Sequence, residues 1–156
     1  LTNQKRQKMT EQAQQPTFDL RRVYLKDASL EIPNAPAVFL ENEAPKVNIE
    51  ISIETRALDS DAHEVDVTAT LSATSNDKTF FLVEAKQSGV FEITGIEGEQ
   101  LDSILNIVCP SMLFPYLRAN VTDLLTRATL PPLYLNEINF EQIYHSKREQ
   151  EAATKQ

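Results

Sequence analysis

Apolar and polar residues alternate through most of the first hundred positions, and a helical spacing takes over only near Leu101. From Lys46 to Glu54 the alternation is strict. Val47, Ile49, Ile51 and Ile53 fall on one side of an extended chain, and Asn48, Glu50, Ser52 and Glu54 on the other. Val65, Val67, Ala69 and Leu71 repeat the pattern, with turn residues before them at Asp59-Ser-Asp-Ala and after them at Ser75-Asn-Asp-Lys78. A meander of antiparallel strands follows from this. The stretch Thr79 to Lys86 is mixed: Phe81, Val83 and Ala85 share one face, while Phe80 and Leu82 join Glu84 and Lys86 on the other. An outward face that combines apolar and acidic groups exceeds what solvation requires and marks a contact surface. Gly89 is expected to introduce a bulge or turn before Val90 to Ile93.

Phe18 to Ile32 also alternates, with Ala28, Leu30 and Ile32 on one face and Asp27, Ser29 and Glu31 on the other. Val23 and Leu25 have the parity of the acidic set, so a bulge is expected to switch the buried face midway. Pro33-Asn-Ala-Pro36 ends this strand, and a loop to Pro45 follows.

Leu101 to Arg127 carries the helical signal, with Leu101, Ile104, Leu105 and Val108 on one face and Leu117, Val121, Leu124 and Leu125 resuming the spacing. Glu97, Glu99 and Asp102 stand at its start, where acidic groups suit the positive end of the helix dipole. Pro110 is expected to open a new helical segment and Pro115 to bend or break it. Such a helix packs on its own sheet, and the extent of its apolar surface also suits a subunit interface, for which Leu101, Leu105, Leu117 and Leu124 are the candidates.

Ala128 to Ile138 forms a loop rich in apolar residues (Leu130, Leu133, Tyr134 and Leu135), which is expected to lie against another surface. Asn139-Phe-Glu-Gln142 resembles a capping box and starts a last helix bearing Phe140, Ile143 and Tyr144. Residues 147–156 read as a polar tail and residues 1–17 as a disordered arm, leaving a single domain over 18–146.

Composition narrows the function. Residues 16–144 hold 9 Lys/Arg against 20 Asp/Glu, a net −11, which repels phosphate backbones and favours basic polypeptide partners over nucleic acid. No apolar run is long enough to span a bilayer, and the single cysteine, Cys109, fits a reducing cytoplasm. His63 in an expected turn and His145 near the tail are isolated, and read as surface histidines. With Cys109 as a buried thiol they do not make a zinc set or a catalytic group, so an enzyme is not indicated.

Tyr24-Leu-Lys-Asp-Ala-Ser-Leu-Glu-Ile-Pro-Asn-Ala-Pro36, Phe81-Leu-Val-Glu-Ala-Lys-Gln-Ser-Gly89, Val90-Phe-Glu-Ile-Thr-Gly-Ile-Glu97, Cys109-Pro-Ser-Met-Leu-Phe-Pro-Tyr116 and Ile138-Asn-Phe140 resemble, in this order, the SecB protein-export chaperones. The resemblance covers residues 18–145. It implies an α+β fold in which four antiparallel strands carry a long broken helix and a C-terminal helix on one side, assembled as a homotetramer, a dimer of dimers. It further implies an ATP-independent holdase, without cofactor or metal, that binds unfolded precursor proteins in the cytoplasm and passes them to the SecA motor.

Matched by position, the motor-docking residues are Asp27, Glu31, Leu82 and Glu84. The client groove is implied to include Val47, Ile49 and Ile51, Leu130 and Leu133 of the loop, and Tyr144. The chain departs from the family pattern in having Ala128-Thr-Leu-Pro131 for Gly-Thr-Phe-Pro, Tyr144 for Phe, and a short tail that is not acidic. A general or antitoxin-associated SecB-like chaperone, a non-catalytic adaptor tetramer, and a small-ligand carrier are the competing readings.

Overall fold

The computed structural model describes residues 15–155. Four strands, β1 (Thr17–Glu31), β2 (Lys46–Ala57), β3 (Ala62–Ser75) and β4 (Lys78–Thr94), form one antiparallel sheet in the order β1-β4-β3-β2. The meander follows from its two turns. Between β2 and β3, the Asp59 carboxylate accepts from the backbone N–H groups of Asp61 and Ala62 (3.1 and 2.9 Å). Between β3 and β4, Asn76 and Asp77 take positive φ values of 49° and 60°, as a two-residue hairpin of right-handed twist requires.

The registers put Val65, Val67, Ala69 and Leu71 of β3 on the same face as Val83, Ala85 and Phe91 of β4, all fully or almost fully buried. β1 joins that face by two bulges rather than one. Arg21 and Lys26 are the extra residues, and after each the parity switches, so that Phe18, Leu20, Val23 and Leu30 all stand opposite core positions of β4. Both extra residues are cations that reach over the polar face: Arg21 Nε donates to Glu92 (2.8 Å) and Lys26 Nζ to Glu64 (2.7 Å).

The helical region is one continuous rod: α1 (Gly98–Ser103), a π-helical turn (Ile104–Val108) and α2 (Cys109–Arg127). Pro110 opens α2 from its first turn, as expected, but it follows a π turn rather than a break. The π turn admits it, with the Cys109 N–H reaching Ile104 carbonyl and the Ser111 hydroxyl donating to Ile107 carbonyl (2.6 Å). Pro115 lies inside α2 without ending it. Cys109, Leu113, Leu117, Val121 and Leu125 recur every fourth residue and are buried against β3 and β4, each large side chain contributing about 1.5–3 kcal/mol of burial.

Several sequence expectations are corrected. Gly89 brings neither bulge nor turn: β4 runs unbroken from Lys78 to Thr94. The glycine is needed because a Cβ there would lie 2.8 Å from both Leu113 Cδ2 and Phe91 Cε2, so α2 sits directly on the strand. His63 lies in β3 rather than in a turn and is only 8% exposed. The loop after Pro36 contains a short 3-10 helix, Ala37–Leu40, whose Val38 is buried. Lys147 onward is not a separate tail, because α3 (Phe140–Thr154) continues through it. Thr17 belongs to β1, and the rest of the expected disordered arm, apart from Gln15 and Pro16, lies outside the described residues.

Candidate functional site

Two faces of one sheet carry the candidate surfaces. On the polar face, Glu31 pairs directly with Leu82, Ser29 with Glu84, and Asp27 with Lys86. Asp27, Glu31, Leu82 and Glu84 thus form one exposed patch, Glu84 standing diagonally between the two β1 acids. Leu82 is 38% exposed at its centre. The sequence parity that separated these residues from the core positions is what gathers them here.

The helix-facing side is covered unevenly. α2 packs on β4 and β3, while β2 lies at the sheet edge beyond its reach, so Val47 and Ile49 remain 36% and 43% exposed despite sharing a face with Leu71 and Ala73. Further along β2, Ile51 and Ile53 floor a groove whose opposite wall is Ile143, Tyr144 and Lys147 of α3, with Asn106 of the π turn at its end.

α3 is held over this groove by two residues. Phe140 is buried edge-to-face on Phe114 (centroids 5.8 Å apart), and its N-cap Asn139 accepts from the Gln142 N–H (3.0 Å). Tyr144 donates its hydroxyl to Asp102 (2.7 Å) and accepts from Arg148 (2.8 Å), which also pairs with Glu99 (3.0 Å). The bond to Asp102 raises the Tyr144 pKa, so the phenol keeps its proton.

The groove unites Ile51 with Tyr144 but not with Leu130 or Leu133. Leu130 and Leu135 are buried in the core, and the Leu133 carbonyl accepts from Thr122 of α2 (3.1 Å), so this part of the loop is fastened elsewhere. Tyr134 alone among the loop's large apolar residues is well exposed. Sequence reasoning missed Ile53, Ile143 and Lys147 as groove residues. Ile53 continues the alternation from Ile51, and Lys147 follows Ile143 by one helical turn, so both signals were present.

The proposed interface leucines also divide. Leu105 and Leu117 are buried in the chain's own core, whereas Leu101 and Leu124 are only partly covered. The outward face of the helix instead shows Val108, Met112 and Tyr116 at successive turns, 37–50% exposed.

Among the described residues, neither surface groups side chains for bond-making chemistry. Burial raises the Cys109 thiol to about 12, which keeps it protonated and unreactive at neutral pH. Among the described residues, no three His, Cys, Asp or Glu side chains are grouped to hold a metal ion, and no helix is long and apolar enough to cross a membrane.

An edge strand with uncovered apolar residues, a helix laid beside it and an acidic patch on the reverse of the same sheet give the chain two separate exposed surfaces. Residues 11–151 match the family model of the preprotein translocase subunit SecB. The chain is 49% identical over 150 residues to the protein-export protein SecB of Nitrosomonas europaea, covering 95% of this chain and 93% of that protein. It is 52% identical over 132 residues to that of Bordetella petrii, covering 85% and 75%. Among solved structures, a Mycobacterium tuberculosis SecB-like chaperone in complex with an antitoxin peptide superposes with a TM-score of 0.62 at 22% identity, covering 78% of this chain and 87% of that one, a likeness of fold. The chain belongs to the SecB family of protein-export chaperones, which are not enzymes.

Proposed function

We propose that this protein is a cytoplasmic homotetrameric holdase that keeps precursor proteins unfolded and delivers them to the SecA motor. The observation that carries the reading is the opposition of two surfaces across one sheet: Ile49 and Ile51 face the helix side, while Asp27, Glu31, Leu82 and Glu84 face away. A client and a motor can therefore be held together without competing for space. Apolar contact and the free backbone of an edge strand do not read side-chain order, which suits a protein that must accept many unfolded sequences.

The acidic patch suits a basic segment of the motor, with an apolar contact at Leu82. Tetramer formation is supported by the exposed Val108, Met112 and Tyr116 together with half-covered Leu101 and Leu124. Several grooves on one particle let a long client make several weak contacts, each raising the effective concentration for the next.

Calorimetry with a slowly folding polypeptide and, separately, with purified motor tests the division. Ile49→Asp is expected to weaken client binding and spare the motor, and the Asp27→Lys/Glu84→Lys double variant to do the reverse. Loss of both activities in both variants, in particles of normal mass, would refute two separate surfaces.

A further inference from the structure

The acidic patch on the polar face has a cation set into it. Lys86 of β4 pairs across the ladder with Asp27 of β1 and stands two residues beyond Glu84 on its own strand, so its side chain rises between two of the docking carboxylates. On its other flank β3 offers the neutral Thr68, and Ser52 of β2 lies beyond that.

The remaining acids of this face do not claim it. Asp66, diagonal to Lys86 on β3, already accepts from the Ser88 hydroxyl and lies 3.5 Å from Lys26 Nζ. Glu50 and Glu54 stand two strands away, about 10 Å across the sheet. Among the described residues Lys86 takes part in no ion pair, with Asp27 and Glu84 included. It is half-buried, while both carboxylates beside it are exposed. The lysine therefore contributes its charge to the surface that an incoming partner meets.

We propose that Lys86 limits the affinity of the docking face for the motor. The inference rests on the docking reading and adds to it a residue that works against the attraction. A basic segment settling over Asp27 and Glu84 brings its own cations towards the Lys86 ammonium, which offsets one of the three carboxylate charges of Asp27, Glu31 and Glu84 and repels the incoming ones. A carrier that hands over a client must afterwards let the motor go. A lysine among the carboxylates shortens the hold and leaves the apolar contact at Leu82 in place.

Calorimetry of the whole protein with purified motor, at low and at high salt, reads the effect. Lys86→Gln is expected to bind the motor about threefold more tightly than the native protein, as for one partly exposed charge. Lys86→Glu binds more tightly still, and Lys86→Arg keeps the native affinity. Added salt narrows the spread. A Lys86→Gln variant of normal particle mass that binds no more tightly than the native protein, or Lys86→Arg binding as tightly as Lys86→Gln, overturns the assignment. Glu84→Lys separates the two levels: if it weakens docking while Lys86→Gln does not strengthen it, only the role of Lys86 falls. If the native protein does not bind the motor, or Glu84→Lys changes nothing, the docking face falls with it.

Discussion

Lys26, the extra residue of the second bulge in β1, reaches over β4 to place its Nζ 2.7 Å from Glu64 Oε1 on β3. Glu64 also accepts from Tyr24 and from Arg56 (2.9 Å), and its side chain is only 8% exposed. The bulge thus does two things at once, restoring β1's apolar parity and fastening β1 to β3. Because Lys26 is itself 35% exposed, water screens part of the loss when it is removed, and Lys26→Met is expected to cost about 1–2 kcal/mol in urea unfolding.

The same cluster gives a pH signature. Hydrogen bonds from Lys26 and then Tyr24 hold the Glu64 carboxyl below its ordinary 4.5, so its contribution is complete above that value and is lost as pH falls through the lower folded value. The bond to Glu64 raises Lys26 above 10.5, so its contribution is complete below 10.5 and lost as pH rises through the folded value. Urea midpoints measured from pH 7 downward should fall more steeply in the native protein than in Glu64→Gln, the difference appearing below 4.5. Parallel curves would show that Glu64 is not held in this way.

Gly89 should not tolerate a side chain. A Cβ would press on the Leu113 and Phe91 side chains, both fully buried. Gly89→Ala is expected to destabilise by about 1–3 kcal/mol, and Gly89→Val by more. Thermal unfolding of both variants at one protein concentration decides it.

α3 should detach as a unit. Phe140 and Tyr144 are its only buried residues. Phe140→Ala is therefore expected to remove amide-exchange protection from α3 while the strands β3 and β4 keep theirs. Tyr144→Phe should be milder, about 0.5–1.5 kcal/mol, because it removes hydrogen bonds and leaves the ring in place. Equal loss of protection in the sheet would mean that α3 is part of the core rather than a cover laid on it.

The helix rod has a second apolar side that one chain leaves open. Val108→Glu or Leu124→Glu is expected to lower the particle mass seen by light scattering, since a charge enclosed between copies is costly. Leu117→Glu should instead unfold the chain, because that residue is fully buried within it.

Strict alternation makes β2 and β3 legible in the sequence, and the shared parity of Asp27 with Glu31 and of Leu82 with Glu84 makes the polar-face patch legible there too. β1 was legible only as a contradiction of parity, which the two bulges resolve. Where the sequence misled, a long-range contact was responsible. Gly89 is read locally as a bend, but the close approach of a helix more than twenty residues away explains it. His63 looks like a turn residue because its neighbours are polar, yet Glu64 and Asp66 are buried by cations from other strands. The loop leucines Leu130 and Leu135 do lie against another surface, as their apolar character in a loop suggests, but that surface is the core of the same chain, which the sequence did not identify.

The uncovered rim of β2 also governs how the molecules treat one another. Among the described residues its outer backbone groups pair with no further strand, and with the oily Val47 and Ile49 they offer a second copy a template. Glu50 and Glu54 stand on the reverse side of that rim, and the whole chain carries a net charge of −8, so two rims that approach bring like charges together. Solubility at high concentration is thus set by a balance between a sticky edge and a repulsive surface. Concentrated samples in strong salt, where repulsion is screened first, are where edge-to-edge growth begins.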